Sequence, residues 1–413
     1  MSALETHHLR LAMLPLSDSA PLVVAADQGF FAEEGLDVEL RVESSWAAVR
    51  DAIQLEQVEA AHLLPLMPLA ATLGLDGRPT PMLSALTLNL NGNAISLSRP
   101  LFEQMCTLLP EATAHPQRRA EALARVIAAR REAGLEPLRL ACVHPFSSHH
   151  YLLRAWLDAA GIDPDRDVEL RVVPPPLMAD QVEAGWVDGY CAGAPWNDLG
   201  VERGVAVIVC EGYAIWHNAG EKVLGVREQW AERHPNTHHA LLRALIRAGH
   251  WLDADAEHRL AACRMLIDGG YLALPHSVVE AELHARFVAG EGRDAQRDIH
   301  FARFNAQHPW RTHTLWFAAQ LYRWGHFDDE IRLREAVERC VRPDIYRAAA
   351  HSLGIAAART ELCSLGEHAL PHRIDADDGG SLLLGADSLL EGGRFDPSAP
   401  FPASRAQKPS RQR

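Results

Sequence analysis

Short apolar runs and longer amphipathic stretches alternate along most of this chain, and the spacing of the apolar residues switches between two and about 3.6. Leu9 to Leu16 reads as a first strand. Ser17 and Asp18 are then placed to cap a helix that begins near Pro21. Leu22, Val23, Ala26 and Phe30 share one face of that helix, and Gly35 is placed to end it. Val38, Leu40 and Val42 alternate as a second strand. This strand–helix–strand opening predicts an α/β fold, with a helix N-terminus above the strand ends where a small anion can sit.

The pattern continues. Ser44 or Ser45 can cap a helix carrying Trp46, Val49 and Ile53, and Trp46 either packs in a core or lines a cleft. A strand after Val58 feeds a loop stiffened by Pro65 and Pro68, beside His62, which reads as a packing residue or a ligand contact. Residues 81–98 read as two strands about a tight Asn-Gly element, where Asn91 and Asn93 serve either turn chemistry or donation to an oxyanion. The arginine-rich helix of 118–132 presents a solvated face or a partner surface. After a strand at 138–143, Ser147 or Ser148 can cap a helix with His149 in its first turn, and Gly161 ends it. Val168–Val173 alternates as a strand, and residues 182–197 read as a helix end, a strand and a ligand loop. Helices are predicted over about 237–270 and 276–290, and again after Thr314, ending near Arg342–Tyr346. From about Gly366 glycine, proline and aspartate rise, and the chain closes on Arg405, Lys408, Arg411 and Arg413, so 366–413 is predicted to be largely disordered and dispensable for binding.

Composition narrows the function. A chain of 413 residues has room for two lobes with separate cores. A net charge of −14 argues against broad contact with nucleic acid. The seven cysteines stand singly with no C-x-x-C pair, which favours free thiols in a reducing compartment. Met1–Arg10 shows no basic, apolar and small-residue succession, so a cytoplasmic location is expected. There is also no apolar window long enough for a membrane span. No Gly-rich phosphate loop, G-x-S-x-G elbow or H-E-x-x-H occurs, so neither catalysis nor a cofactor is expected. The histidines of His149-His150 and His234…His238-His239 read as solvated rather than metal-binding.

The wording Pro-Leu-Val-Val-Ala…Gly-Phe-Phe-Ala-Glu-Glu-Gly-Leu-Asp-Val resembles the opening of the type II periplasmic-binding-protein superfamily. From Leu9 to about Pro343 the chain is similar to its nitrate- and bicarbonate-binding branch (NrtA/CmpA-like), and within that to the cytoplasmic nitrate sensor NasS. The resemblance implies a two-lobe fold with a hinge and an interlobe ligand cleft. Residues 8–95 and 215–350 would form one lobe, 96–214 the other, and 366–413 a C-terminal extension, with the return crossing near 207–216. It implies nitrate or nitrite as ligand, with bicarbonate left open.

A buried planar oxyanion needs convergent donors and a positive charge. The resemblance assigns these to Trp46, Asn93, His149, Gly193 and Lys222. Lys222 would bring the charge, so Lys222→Ala is expected to remove binding without unfolding the protein. Two departures stand out: Asn93 replaces a glutamine, and Ala194 replaces a glutamate before Pro195. The implied partner is a NasT-type RNA-binding antiterminator. The alternative is the solute-binding subunit of an anion transporter.

Overall fold

The structure, a computed structural model, describes residues 3–110, 116–285 and 298–405. Strands β1 (His8–Met13), β2 (Asp37–Val42), β3 (Ala60–Leu63) and β4 (Met82–Leu90) come first. They are followed by β5 (Asn93–Ser98), β6 (Leu138–Cys142), β7 (Val168–Val172), β8 (Gly189–Gly193) and β9 (Ala206–Glu211). The last are β10 (Gly220–Arg227), β11 (His372–Asp375) and β12 (Ser381–Leu384). One sheet has the order β2-β1-β3-β10-β4 and another β7-β6-β8-β5-β9. In each, three strands run parallel, joined by helical crossovers, and the fourth strand runs antiparallel to its neighbours.

The two sheets exchange a strand. The chain leaves the first sheet after β4 and enters the second as β5; it leaves after β9 and returns as β10. The first crossing is only Asn91 and Gly92, at φ +62° and +96°, values that suit an Asn-Gly pair. The second crossing contains Asn218, also in the left-handed region at φ +58°. Asn91 and Asn218 meet through their side chains, Nδ2 to Oδ1 at 3.2 Å, so the two crossings are tied together. All of β5 pairs within the second sheet, so the second lobe begins at Asn93, three residues before the boundary expected from the sequence.

Apolar alternation explains the cores. Leu9, Leu11 and Met13 of β1 pack with Val24, Val49, Leu86 and Leu241, while Leu97, Leu140, Leu152, Trp156 and Val209 fill a second cluster. Leu66, Leu69, Leu315, Trp316 and Phe317 also belong to that second cluster. Cys340 Sγ meets Thr72 Oγ1 at 3.1 Å, and Arg323 bonds Asp158. The segment around 311–340, predicted to lie in the first lobe, thus packs against both.

Several local expectations change. The first helix stops at Asp27, and a separate turn of helix spans Phe30–Glu33 after Gly29 at φ +76°. Ala26 is therefore exposed. Ser17 and Asp18 do not cap; they lie in a 3-10 turn, Ser17–Ser19, that precedes the helix. The helical region expected over 237–270 holds two helices, Pro235–Leu252 and Ala256–Asp268. A further helix, Pro343–Ser352, starts where the last one was expected to end. The 276–290 prediction holds helix at His276–Glu280 and a π turn at Ala281–Ala285, with 286–290 outside the described residues.

The largest correction is the C-terminal segment. Residues 366–405 are ordered around the β11–β12 hairpin, and Lys408, Arg411 and Arg413 lie outside the described residues. Leu365 and Phe401 are buried in the second cluster, and Leu384 covers Trp310 together with Ala358. Ala386 O accepts from Asn218 Nδ2 at 2.8 Å, and Ser388 O accepts from the His217 amide at 2.9 Å. A polar, glycine-rich composition is compatible with order here because a few apolar anchors and the return crossing supply partners. Ending the chain at Ser364 should therefore destabilise the protein, as should Phe401→Ala, by about 3 kcal/mol. Urea unfolding of both variants tests this; unchanged midpoints would make the segment a passenger.

Candidate functional site

The interlobe site is assembled from strand ends, where an open α/β sheet leaves a crevice. The chain leaving β1 makes the Ser17–Ser19 turn that carries Asp18. The chain leaving β2 reaches Ser45, whose hydroxyl caps the helix Trp46–Gln54 by accepting from the Ala48 amide at 3.1 Å. In the second lobe, the chain leaving β6 reaches Ser147, which caps Ser148–Ala159 by accepting from the His150 amide and places His149 in the first turn. Gly193 ends β8 directly opposite Asn93, the first residue of β5. Lys222 sits near the start of β10.

Neighbours in a regular strand point to opposite faces. In β10 the pairing register shifts between Gly220 and Lys222 and again between Lys222 and Val223. Such irregularities re-aim side chains, and here Glu221 and Lys222 meet in one cluster, with Lys222 Nζ 2.7 Å from Glu221 Oε1.

The structure brings Trp46, Asn93, His149, Gly193 and Lys222 together, and all four of the side chains are buried. Lys222 Nζ also lies 2.7 Å from Asp18 Oδ2 and 5.7 Å from the centre of the Trp46 ring. Asp18 Oδ1 is 3.3 Å from His62 Nε2. Glu221, on a first-lobe strand, takes contacts from the second lobe: Asn93 Nδ2 donates to Oε2 at 2.5 Å, and His149 Nε2 is 3.2 Å from Oε1. A Cβ on Gly193 would lie 3.5 Å from His149 Nε2 and 3.7 Å from Asp18 Oδ2, so this glycine keeps the space between them open. Trp46 Nε1 has no hydrogen-bond partner among the described residues.

Two of these groups, Asp18 and Glu221, have no place among the residues singled out from the sequence. Asp18 reads as a cap, and Glu221 is hidden because a strand residue beside Lys222 should face away from it. The acidic residue beside a lysine within an otherwise apolar strand was the one available signal. His62, open between packing and ligand contact, supports Asp18. Asn91 serves the crossing. His149, His150 and His238 are buried rather than solvated; His150 accepts from Arg154 Nε at 2.8 Å. Among the described residues the grouping with metal-ligand geometry is His368, His372 and Asp387, in the C-terminal segment.

The electrostatics follow from burial. Burial raises the Asp18 carboxyl, but Lys222 and His62 outweigh it and hold the group at about 2. Burial lowers the Lys222 ammonium, yet Asp18 and Glu221 raise it above its ordinary value. Burial raises Glu221, and Lys222 only partly offsets this. Burial and the nearby ammonium push His149 well down, so its ring is neutral. Asp18 thus adds stability that is lost as pH falls towards 2. Glu221 has the opposite sign: it favours the native state more as pH falls through its raised range.

The NMT1-like family profile matches residues 2–267. The chain belongs to the NMT1-like family. Within it, the chain is of the NrtA/CmpA-like kind. It is 37% identical over 364 residues to the nitrate import ATP-binding protein NrtC of Synechocystis sp. PCC 6803, covering 86% of this chain and 51% of that one. To the nitrate/nitrite binding protein NrtA of the same organism it is 30% identical over 367 residues, covering 86% and 79%. The chain therefore spans about half the length of NrtC and most of NrtA. The crystal structure of the periplasmic nitrate-binding protein NrtA from Synechocystis PCC 6803 superposes with a TM-score of 0.79 at 27% identity, covering 92% of this chain and 96% of that one. The fold of this NMT1-like protein is the two-lobe type II periplasmic-binding-protein fold.

Lys222 pairs with two buried carboxylates as well as being a candidate ligand, so its removal is expected to cost stability as well as binding. Lys222→Met would leave two buried carboxylates unpaired and should cost about 3–5 kcal/mol. The Asp18→Asn/Lys222→Met double variant should recover part of that loss. If urea unfolding shows the single variant as stable as the parent, the ion pair does not hold the site.

Proposed function

We propose that this protein is a solute-binding protein that closes its two lobes on a small planar oxyanion, nitrate or nitrite. One observation carries the reading: an ammonium and an amide, drawn from both sheets, bond a single carboxylate group between the lobes, with a histidine ring 3.2 Å from it. That set supplies charge and donors to a delocalised anion. The names of the relatives, nitrate import and nitrate/nitrite binding proteins, support the same ligand class. No catalytic step is assigned, so the protein is read as a binder and not an enzyme.

We read it further as a cytoplasmic sensor of the NasS kind. Cys106, Cys142, Cys191, Cys210, Cys263, Cys340 and Cys363 are all free thiols, which suits a reducing compartment. No helix among the described residues is long and apolar enough to cross a membrane. The partner would be a NasT-type antiterminator that binds the open form and is released on closure, which makes the coupling between anion and partner reciprocal. The second reading, a transporter's solute-binding subunit, draws on the relatives' transport names.

Calorimetric titration with nitrate, nitrite, bicarbonate and sulfate tests the ligand. Saturable one-site binding of nitrate or nitrite, lost in His149→Ala, is expected. Bicarbonate alone would move the protein to the bicarbonate branch, and silence towards all four would remove the proposed function.

A further inference from the structure

Two of the three donors expected to hold the anion already hold a carboxylate, and the third lies beside it. Lys222 Nζ is 2.7 Å and His149 Nε2 3.2 Å from Glu221 Oε1, while Asn93 Nδ2 donates to Oε2 at 2.5 Å. A carboxylate and a nitrate ion share a planar, delocalised pair of oxygens and a single negative charge. We propose that the Glu221 side chain sits in the oxyanion seat as a built-in competitor, and that an external anion enters as Glu221 takes up a proton and gives up the donors. This rests on the anion-binding reading of the site.

The arrangement of charge supports it. Counting the buried groups, Lys222 is matched by Asp18 alone, so a charged Glu221 is already the site's excess negative charge. A second anion beside both carboxylates would put three negative charges around one ammonium in a dry site. Protonation of Glu221 removes the surplus, and the balance is simple: one anion and one proton enter, and no bond other than O–H is made. A cleft lined by Asn91, Gly92, Asn93, Ala194 and Asn197, with Asp198, Glu211 and Glu282 also on its wall, reaches the site at Asn93.

Every other group facing Glu221 is fixed in charge over the neutral range. On its own strand Lys222 is raised by the two carboxylates, after the lowering effect of burial. From the turn after β1, Asp18 is held at about 2. From the helix Ser148–Ala159, His149 is pushed well down by burial, and the Ser148 hydroxyl bonds Glu221 without titrating. From β8, burial pushes the Cys191 thiol well up. From β5, Asn93 carries no charge. Burial raises Glu221 itself, which leaves it as the group that exchanges a proton when the anion binds.

The test uses the full chain and three proteins: parent, Glu221→Ala and Glu221→Gln. Lys222 keeps Asp18 in both variants, so neither leaves an unpaired ammonium, and Gln preserves the side-chain volume. Calorimetry with nitrate between about pH 6 and pH 8 should show parent affinity falling towards about tenfold per pH unit, the limit for one coupled proton. Both variants should lose that slope, and Glu221→Ala should bind nitrate at least about tenfold tighter than the parent at the upper pH. Formate is the second probe. It should bind Glu221→Ala, whose seat now lacks its carboxylate, and not the parent at the upper pH. If nitrate binds the parent and both variants alike, with one pH profile, the competitor is overturned while the anion-binding function stands. If Glu221→Ala takes formate but no protein takes nitrate, the competitor stands and the nitrate reading falls. Indifference of Glu221→Ala to both anions overturns the inference.

Discussion

A lysine ammonium with no exposure to solvent governs the interlobe region. An isolated charge of that kind is untenable in a protein interior, so Lys222 requires buried anionic partners with good geometry. Asp18 meets that demand from the first lobe. Glu221 meets it from the same strand and carries it across to Asn93 and His149 of the second lobe. The position of one ammonium therefore dictates why the turn after β1 holds an aspartate, why β10 departs from regular pairing, and why residues from two sheets face a common point.

Further contacts join the two lobes. Ser17 donates its amide to Ala194 O at 3.0 Å, and Trp196 Nε1 donates to Pro15 O at 3.0 Å, both between the chain after β1 and the chain after β8. At the hinge, Asn91, Gly92 and Asn218 take left-handed backbone conformations within two residues of a strand end. Any motion of the lobes must be absorbed there. The C-terminal segment holds Asn218 and His217 through Ala386 and Ser388, so it sits on one of the two crossings that would have to turn. Its role in the fold is to brace the hinge as much as to cover apolar surface.

Much of this was legible in the chain. Local rules identified the alternating strands, a serine cap at 44 or 45 and another at 147 or 148, and the tight Asn-Gly element at 91–92, because each depends on residues adjacent in sequence. The grouping of Trp46, Asn93, His149, Gly193 and Lys222 came from resemblance, since no short spacing links them. Asp18 and Glu221 escaped both routes. Asp18 has the form of a helix cap, and only the tertiary approach of Lys222 gives it another task. Glu221 needs the irregular pairing of β10, which no periodicity reveals. The segment after 366 was misread because composition reports average polarity, whereas Leu365, Leu384 and Phe401 anchor it at individual points.

An internal competitor changes what closure can report. A ligand shifts an equilibrium only by its differential interaction with the two states. Glu221 already joins Lys222 to Asn93 and lies 3.2 Å from His149 Nε2, so part of the bonding that would pull the lobes together exists before any external anion arrives. An anion of the same charge and planarity would replace those bonds rather than add to them. Its leverage on the hinge is then the difference between its own contacts and those of Glu221, together with the free energy of placing one proton on a buried carboxylate. Trp46 Nε1 is a donor that Glu221 does not use. A third oxygen, which nitrate has and a carboxylate lacks, is the chemical feature by which an external anion can outbid the internal one at this site.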